Sequence, residues 1–382
     1  MEWTDLTPQK AQRSEEEMLR HLRQTRLKPR FSAGVWYFNP APSRFHEAYG
    51  EKATIEETLR RVAQMYDSGL IDHTFRLEAH YPNEVNWDNL HLYKELEKET
   101  GIKLITAIPW LFYEKRYRFG SLSNPDHRVR EHAIQRVAET LELNRELGTG
   151  FAVLWPGIDG YENPFAQDHY GMWERFESGL AAAMDQVPGV RVALEPKPYE
   201  PRGNNIYRNT ANGLLMAREV EARLTAPLNK EALEEGHALV GLNPEVGHVL
   251  MGHEDLGYSL ASILREGRLM HTHWNSQPLG NYDQDLNVGV LGLNQTLSAL
   301  LVLKMHNYQG YYGIDINPER MPVERALALN MNSLETCAAI VDRLDAEALV
   351  TAIYRPHQHP GLAEHLLTQA LAPSGVKLRT PP

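Results

Sequence analysis

Val190-Arg-Val-Ala-Leu-Glu195-Pro-Lys197-Pro198 reads as a short buried strand that stops at a carboxylate. Branched and apolar residues suit an enclosed, pleated backbone, and proline ends its ladder. Upstream, Phe151-Ala-Val-Leu-Trp155 has the same character and is closed by Pro156-Gly157. Between the two, residues 165–187 carry largely helical patterning. A strand, a helix and a second such strand form the parallel βαβ unit.

Working outward, the unit recurs on both sides. Residues 30–38 are expected as a first strand ending in aromatics, followed by strands at 74–80, 102–108, 238–243, 268–273 and 310–315. Helical spacing fills 55–66, 88–99 (closed by Gly101), 125–147, 210–224, 255–265, 291–305 and 326–346. With the two strands above, eight strands each precede a helix, which favours a (β/α)8 barrel over an open doubly wound sheet. Residues 1–30 form a polar, partly helical extension, 31–346 the barrel, and 347–382 a C-terminal helical arm suited to oligomer contacts. No Gly-x-Gly-x-x-Gly follows a strand and no Walker-type loop occurs, so a nucleotide cofactor lacks its usual cradle.

Composition narrows the class. Over 382 residues, 42% hydrophobic and 23% charged content is that of a globular chain. A net charge of -11 disfavours nucleic acid and anionic membranes as partners. Cys337 is the single cysteine, which excludes an internal disulfide and a cysteine-based zinc site. The polar N-terminus has no secretory apolar region and no run of about 18 apolar residues occurs, so a cytoplasmic enzyme is expected.

Active sites of such barrels lie where strands end. Strand five ends at Glu195 and Lys197, strand six runs into Asn243-Pro-Glu245-Val-Gly-His248, strand seven ends at His273 before a loop holding Asp283 and Asp285, and strand eight ends at Asp315. Singly, each has a plain reading: a helix-capping carboxylate, a structural histidine, an Asx-turn. Lys197 alone could be a surface lysine, and Trp155 alone could be core. Jointly, five carboxylates and two imidazoles on four consecutive strands would repel unless cations sat among them. A divalent metal site explains the set better.

These motifs carry a family resemblance. Glu195-Pro-Lys197-Pro-x-Glu-Pro-Arg-Gly, Asn243-Pro-Glu245-Val-Gly-His248, Tyr282-Asp-Gln-Asp285-Leu and Leu154-Trp155-Pro-Gly-x-x-Gly-Tyr-Glu162 resemble xylose isomerase motifs over residues 31–320. The resemblance implies a xylose isomerase-like TIM barrel, two divalent ions (Mg, Mn or Co), a small sugar substrate and aldose–ketose isomerisation by hydride shift between C2 and C1. Carried over, Glu195, Glu245, His273 and Asp315 would hold one metal, and Glu245, His248, Asp283 and Asp285 the other. Lys197 would bond the C1 carbonyl oxygen, with Asp285 among the catalytic groups and His80 assisting ring opening. Trp36, Phe112, Trp155 and Asn243 would line the substrate pocket. A homodimer or tetramer is implied as well.

Departures from the pattern mark the open points. His273 stands where that family uses an aspartate, as related ketose 3-epimerases also place a histidine on this strand. Asn317 replaces a lysine, and His80-Tyr-Pro-Asn83-Glu84 lacks the family's His–Asp pairing after strand two. Two other readings therefore stand beside the isomerase: a one-metal ketose 3-epimerase and a catalytically silent sugar-binding barrel. His248, Asp283 and Asp285 separate the first pair, since an epimerase has no need of them. The particular sugar, the preferred metal and the oligomeric state are not specified by sequence.

Overall fold

Eight short parallel strands form the centre of the computed structural model, which describes residues 14–40, 46–289, 292–318 and 320–379. They are Arg30–Gly34, Arg76–Tyr81, Lys103–Pro109, Ala152–Leu154, Val192–Leu194, Val240–Leu242, His273–Trp274 and Tyr311–Ile314. The first strand pairs with both the second and the eighth, the second with the third, and the eighth with the seventh. Strands four, five and six form a second ladder. The two ladders meet through parallel bridges at Leu242–Leu269 and Glu245–His273, and where Val153 N donates to Thr106 Oγ1 at 3.0 Å. Helices follow the strands, giving the (β/α)8 barrel that the sequence pattern predicts.

Alternation along the strands decides what enters the barrel. Leu154 and Leu194 join the large core beneath the helices, while Val153 and Ala193 belong to an interior cluster with Ile108, Phe151 and Met270. Side chains two residues further along share a face, so Trp155 and Glu195 continue the interior row toward the strand ends. Sequence parity therefore aims the chemistry inward.

Several boundaries differ from expectation. The first strand stops at Gly34 instead of running to Phe38, and Val35–Phe38 is a 3-10 turn. A Cβ on Gly34 would lie 2.2 Å from the Trp36 ring, so only glycine lets the chain curl and fold that indole back. Strand seven, expected over 268–273, has regular pairing only at His273–Trp274, with a single bridge at Leu269. The segment before it presses on strand six, where a Cβ on Gly241 would lie 2.4 Å from Arg268 O. The helix expected from Leu291 is seen as Leu293–Met305, Leu291 itself being outside the described residues. The final expected helix divides into Val323–Asp342 and Ala346–Tyr354, the second capped by Asp345 accepting from Ala348 N at 2.7 Å.

Helices near the two ends of the described residues gather into one cluster. Helix Ala346–Tyr354 packs on the N-terminal helix Glu15–Gln24, and Leu362–Leu371 packs on Ala346–Tyr354, burying Leu22, Leu349, Val350 and Leu366 in a separate apolar cluster. Arg355 pairs with Glu15 at 2.7 Å, and Arg23 pairs with Glu347. The described part of the tail expected as an arm thus packs against its own chain. No described helix is long and apolar enough to cross a membrane.

At the base of strand six, Glu221 accepts from Leu239 N and Val240 N at 2.8 and 2.9 Å and from Arg268 Nη2 at 2.6 Å. This largely buried pair ties helix Thr210–Ala222 to the sixth and seventh strands. Arg268→Met leaves Glu221 uncompensated and lowers unfolding free energy by about 3–5 kcal/mol, read from urea denaturation.

Candidate metal centre

Strand ends and the loops after them deliver two donor sets. Glu195, Glu245, His273 and Asp315 place one ligand atom each within 4.8 Å of the others, and Glu245, His248 and Asp283 do the same. Glu245 belongs to both. His273 Nδ1 lies 3.1 Å from Glu195 Oε2 and 3.0 Å from Asp315 Oδ2. His248, on the short helix Val246–Met251, puts Nε2 3.0 Å from Glu245 Oε2 and 3.4 Å from Asp283 Oδ2. Carboxylate and imidazole donors in this mixture suit Mg, Mn, Co and related divalent ions. Asp283 Oδ1 is buried without a hydrogen-bond partner, a ligand oxygen that a cation would satisfy.

Lys197 sits between these sets and the aromatic wall. Its Nζ donates to Asp283 Oδ2 at 2.6 Å and lies 5.1 Å from the centre of the Trp155 ring. Trp155 meets Phe112 edge-on at 4.8 Å, Phe112 meets Trp110 at 4.3 Å, and His80 lies 4.7 Å from Trp36 and 5.1 Å from Trp110. All of these residues line one cavity of about 1250 Å3 that opens beyond the strand ends. In place of the His–Asp pairing that the resemblance implies, His80 has Glu84: its Nδ1 lies 2.9 Å from Glu84 Oε2. A turn in which Glu84 N donates to His80 O at 2.8 Å returns the carboxylate to the ring four residues on.

Protons and cations share the work of charge balance. Burial, followed by Asp283, Asp315, Asp285 and Glu195, holds the Glu245 carboxyl well above its usual range. Asp285 is raised by burial and then by Asp283 and Asp315. For Asp283 burial acts the other way from its partners, yet His248 and Lys197 prevail and lower it. Burial opposes charge on His273, but Glu78, Glu195 and Asp315 together raise its pKa well above the ordinary histidine value. Lys197 likewise stays protonated because Asp283 outweighs its burial.

Two expectations need correction or refinement. Asn243 does not line the cavity: it is fully buried behind Glu195 and donates from Nδ2 to Glu195 Oε2 at 2.7 Å. Its place at the end of strand six predicts contact with substrate, whereas the Glu195 carboxylate stands in between. Asp285 lines the cavity but falls outside both compact donor sets; its Oδ1 accepts from Asn275 Nδ2 at 3.0 Å. Trp36, Phe112, Trp155, His80 and Lys197 all face the cavity.

Sequence reading missed three residues. Trp110 completes the aromatic wall, and its signal was position, two residues beyond Ile108 on the interior row. Asn275 donates to Glu245 Oε1 at 2.7 Å and ties it to Asp285. Glu78 is 1% exposed and lies 3.0 Å from both His271 Nε2 and His273 Nε2. An acidic residue flanked by Leu77 and Ala79 in mid-strand was its signal.

Comparison with known proteins agrees with this geometry. The sequence model of the xylose isomerase-like TIM barrel family matches residues 70–337. The chain belongs to that family. Within the xylose isomerase-like barrels it is 29% identical over 325 residues to the xylose isomerase of Thermus thermophilus, covering 83% of this chain and 80% of that protein. The Thermus caldophilus xylose isomerase is 27% identical with the same coverage, 83% and 80%. Solved structures superpose as well: a D-tagatose 3-epimerase-like protein at TM-score 0.60 and 14% identity, over 82% of this chain and 98% of that one. The 3-keto-D-glucoside 4-epimerase of E. coli gives TM-score 0.57 and 18% identity over 81% and 100%. At these identities the last two speak for the fold alone.

Raised pKa values on Glu245, Asp285 and His273 mean that cations must displace protons. Affinity for Mn or Co therefore rises as pH rises, and the rise extends above the ordinary histidine and carboxylate ranges because all three groups are shifted upward. Calorimetry in two buffers of different ionisation enthalpy should show net proton release at pH 6; binding with no release contradicts this charge balance.

Proposed function

We propose that the chain is a divalent-metal-dependent sugar isomerase interconverting an aldose and a ketose. The observation that carries this reading is the pair of donor sets sharing Glu245, with Lys197 and an aromatic wall on the same cavity. Glu195, Glu245, His273 and Asp315 would hold the first ion; Glu245, His248 and Asp283, with Asp285 adjoining, the second. Bound Mg, Mn or Co would supply Lewis-acid polarisation at two neighbouring sugar oxygens. Similarity to the Thermus xylose isomerases supports a sugar substrate.

The remaining chemistry falls to side chains. Lys197, kept cationic by Asp283, donates a hydrogen bond to the oxygen on C1 and stabilises charge gathering there. Asp285, whose carboxyl is raised by burial and Asp283, takes the C2 hydroxyl proton and later returns a proton to the C1 oxygen. Hydrogen then passes from C2 to C1 with its electron pair. Trp36, Trp110, Phe112 and Trp155 exclude water that would intercept the transfer. His80, with Nδ1 engaged by Glu84, keeps Nε2 as the nitrogen that shuttles a proton during ring opening.

One observation favours a second reading. The first donor set is complete by itself, and Lys197 already pairs with Asp283 of the second. A one-ion site of that kind suits a ketose 3-epimerase, which moves a proton instead of a hydride. Aldopentoses and aldohexoses deuterated at C2, assayed with Mg, Mn and Co, distinguish the two. Hydride shift carries the label from C2 to C1 of the ketose, whereas an epimerase leaves these aldoses unconverted; loss of label to water removes the hydride-shift mechanism.

Side-chain roles give a further expectation. Lys197→Met and Asp283→Ala each lower kcat/KM by at least about 100-fold, as removal of a preorganised charge stabiliser does. Turnover retained within a few-fold in Asp283→Ala would exclude the second ion from the chemistry.

A further inference from the structure

His271 and His273 alternate with Thr272, so both rings enter the barrel interior, and there both meet one carboxylate. Glu78 Oε1 accepts from Ser32 Oγ at 2.7 Å and lies 3.0 Å from His271 Nε2. Its other oxygen, Oε2, lies 3.0 Å from His273 Nε2. All three residues are essentially removed from solvent, at 1%, 0% and 2% exposure. A carboxylate offers only acceptors, so both imidazoles must present N–H to it through Nε2. For His273 that leaves Nδ1, 3.1 Å from Glu195 Oε2 and 3.0 Å from Asp315 Oδ2, as the nitrogen that would offer its lone pair once a cation displaces the proton there.

We propose that Glu78 is a positioning residue for the metal centre, locking His273 in the Nδ1-donor tautomer and supplying from behind the ring the negative charge that an imidazole ligand lacks. The inference rests on the reading of His273 as a ligand. Carboxylate backing of a metal-bound imidazole fixes ring orientation and raises its basicity, and losing it costs about 10- to 100-fold in affinity. Ser32 and His271 complete the device by holding Glu78 Oε1, so the carboxylate cannot swing away. His271 thus acts through Glu78, and neither residue touches substrate. Strand geometry makes this feasible: Glu78 leaves the second strand and His273 the seventh, and the first and eighth strands between them pair in register with both.

The test is a cobalt titration of the Asp283→Ala protein, which keeps the first donor set and breaks the second, followed by visible absorbance and calorimetry. Binding of one cobalt ion there establishes the ligand reading; absence of binding overturns that reading and this one together. Adding Glu78→Gln is expected to weaken binding about 10- to 100-fold. In a His273→Asp background the same substitution should cost no affinity, because the imidazole through which Glu78 acts is gone. Ser32→Ala, which keeps the carboxylate and perturbs the fold least, should weaken binding about two- to tenfold, the worth of one hydrogen bond. Unchanged affinity in both the Glu78→Gln and Ser32→Ala proteins overturns the proposal. Equal loss in the His273→Asp background shows a merely structural carboxylate and overturns it too. Disappearance of a whole second ion on Glu78→Gln would mean that Glu78, His271 and His273 hold an ion of their own, which also contradicts a positioning role.

Discussion

Glu195, Glu245, Asp283, Asp285 and Asp315 share one enclosed end of the barrel, and so much negative charge cannot stand there uncompensated. Two unit charges about 4 Å apart in a protein-like medium interact by roughly 4 kcal/mol, so each unpaired neighbour is a sizeable burden. Compensation comes in layers. Lys197 and the imidazoles of His248 and His273 supply positive or hydrogen-bonding partners, the raised carboxyls of Glu245 and Asp285 hold protons more tightly than usual, and divalent ions would compete with those protons. The barrel tolerates this arrangement because its strands and apolar interior cluster fix where each side chain leaves the backbone. Rigid strand ends hold repelling groups together that a flexible loop would let apart.

Much of this was legible in the chain. Short apolar strands closed by proline, with carboxylates at their ends, indicated the barrel and the face on which chemistry gathers. Parity along Val190–Glu195 and Phe151–Trp155 placed Glu195 and Trp155 on the interior row, where they are found. Family resemblance then grouped residues that are distant in sequence, and the structure brings Glu195, Glu245, His273 and Asp315 together.

What escaped reading depended on register and turns. The meeting of Glu78 with His271 and His273 follows from the stagger of the second and seventh strands, which periodicity within either strand cannot give. Glu84 reaches His80 only because the chain turns back after the strand. Asn243 has the right parity for the cavity but lies behind Glu195, a matter of depth along the barrel axis. The early end of strand one reflects local packing of Trp36 over Gly34. At the termini, residues 1–30 read as a polar extension and the tail as an arm, without a sign that Leu22 would be covered by Leu349, Val350 and Leu366.

Counting ions bears most directly on whether the shared Glu245 joins two metal sites. Dialysis against excess Mn at neutral pH, followed by elemental analysis, should find about two ions per chain in the native protein and about one in Asp283→Ala, as a two-metal centre requires. A single ion in the native chain, unchanged by Asp283→Ala, would contradict it.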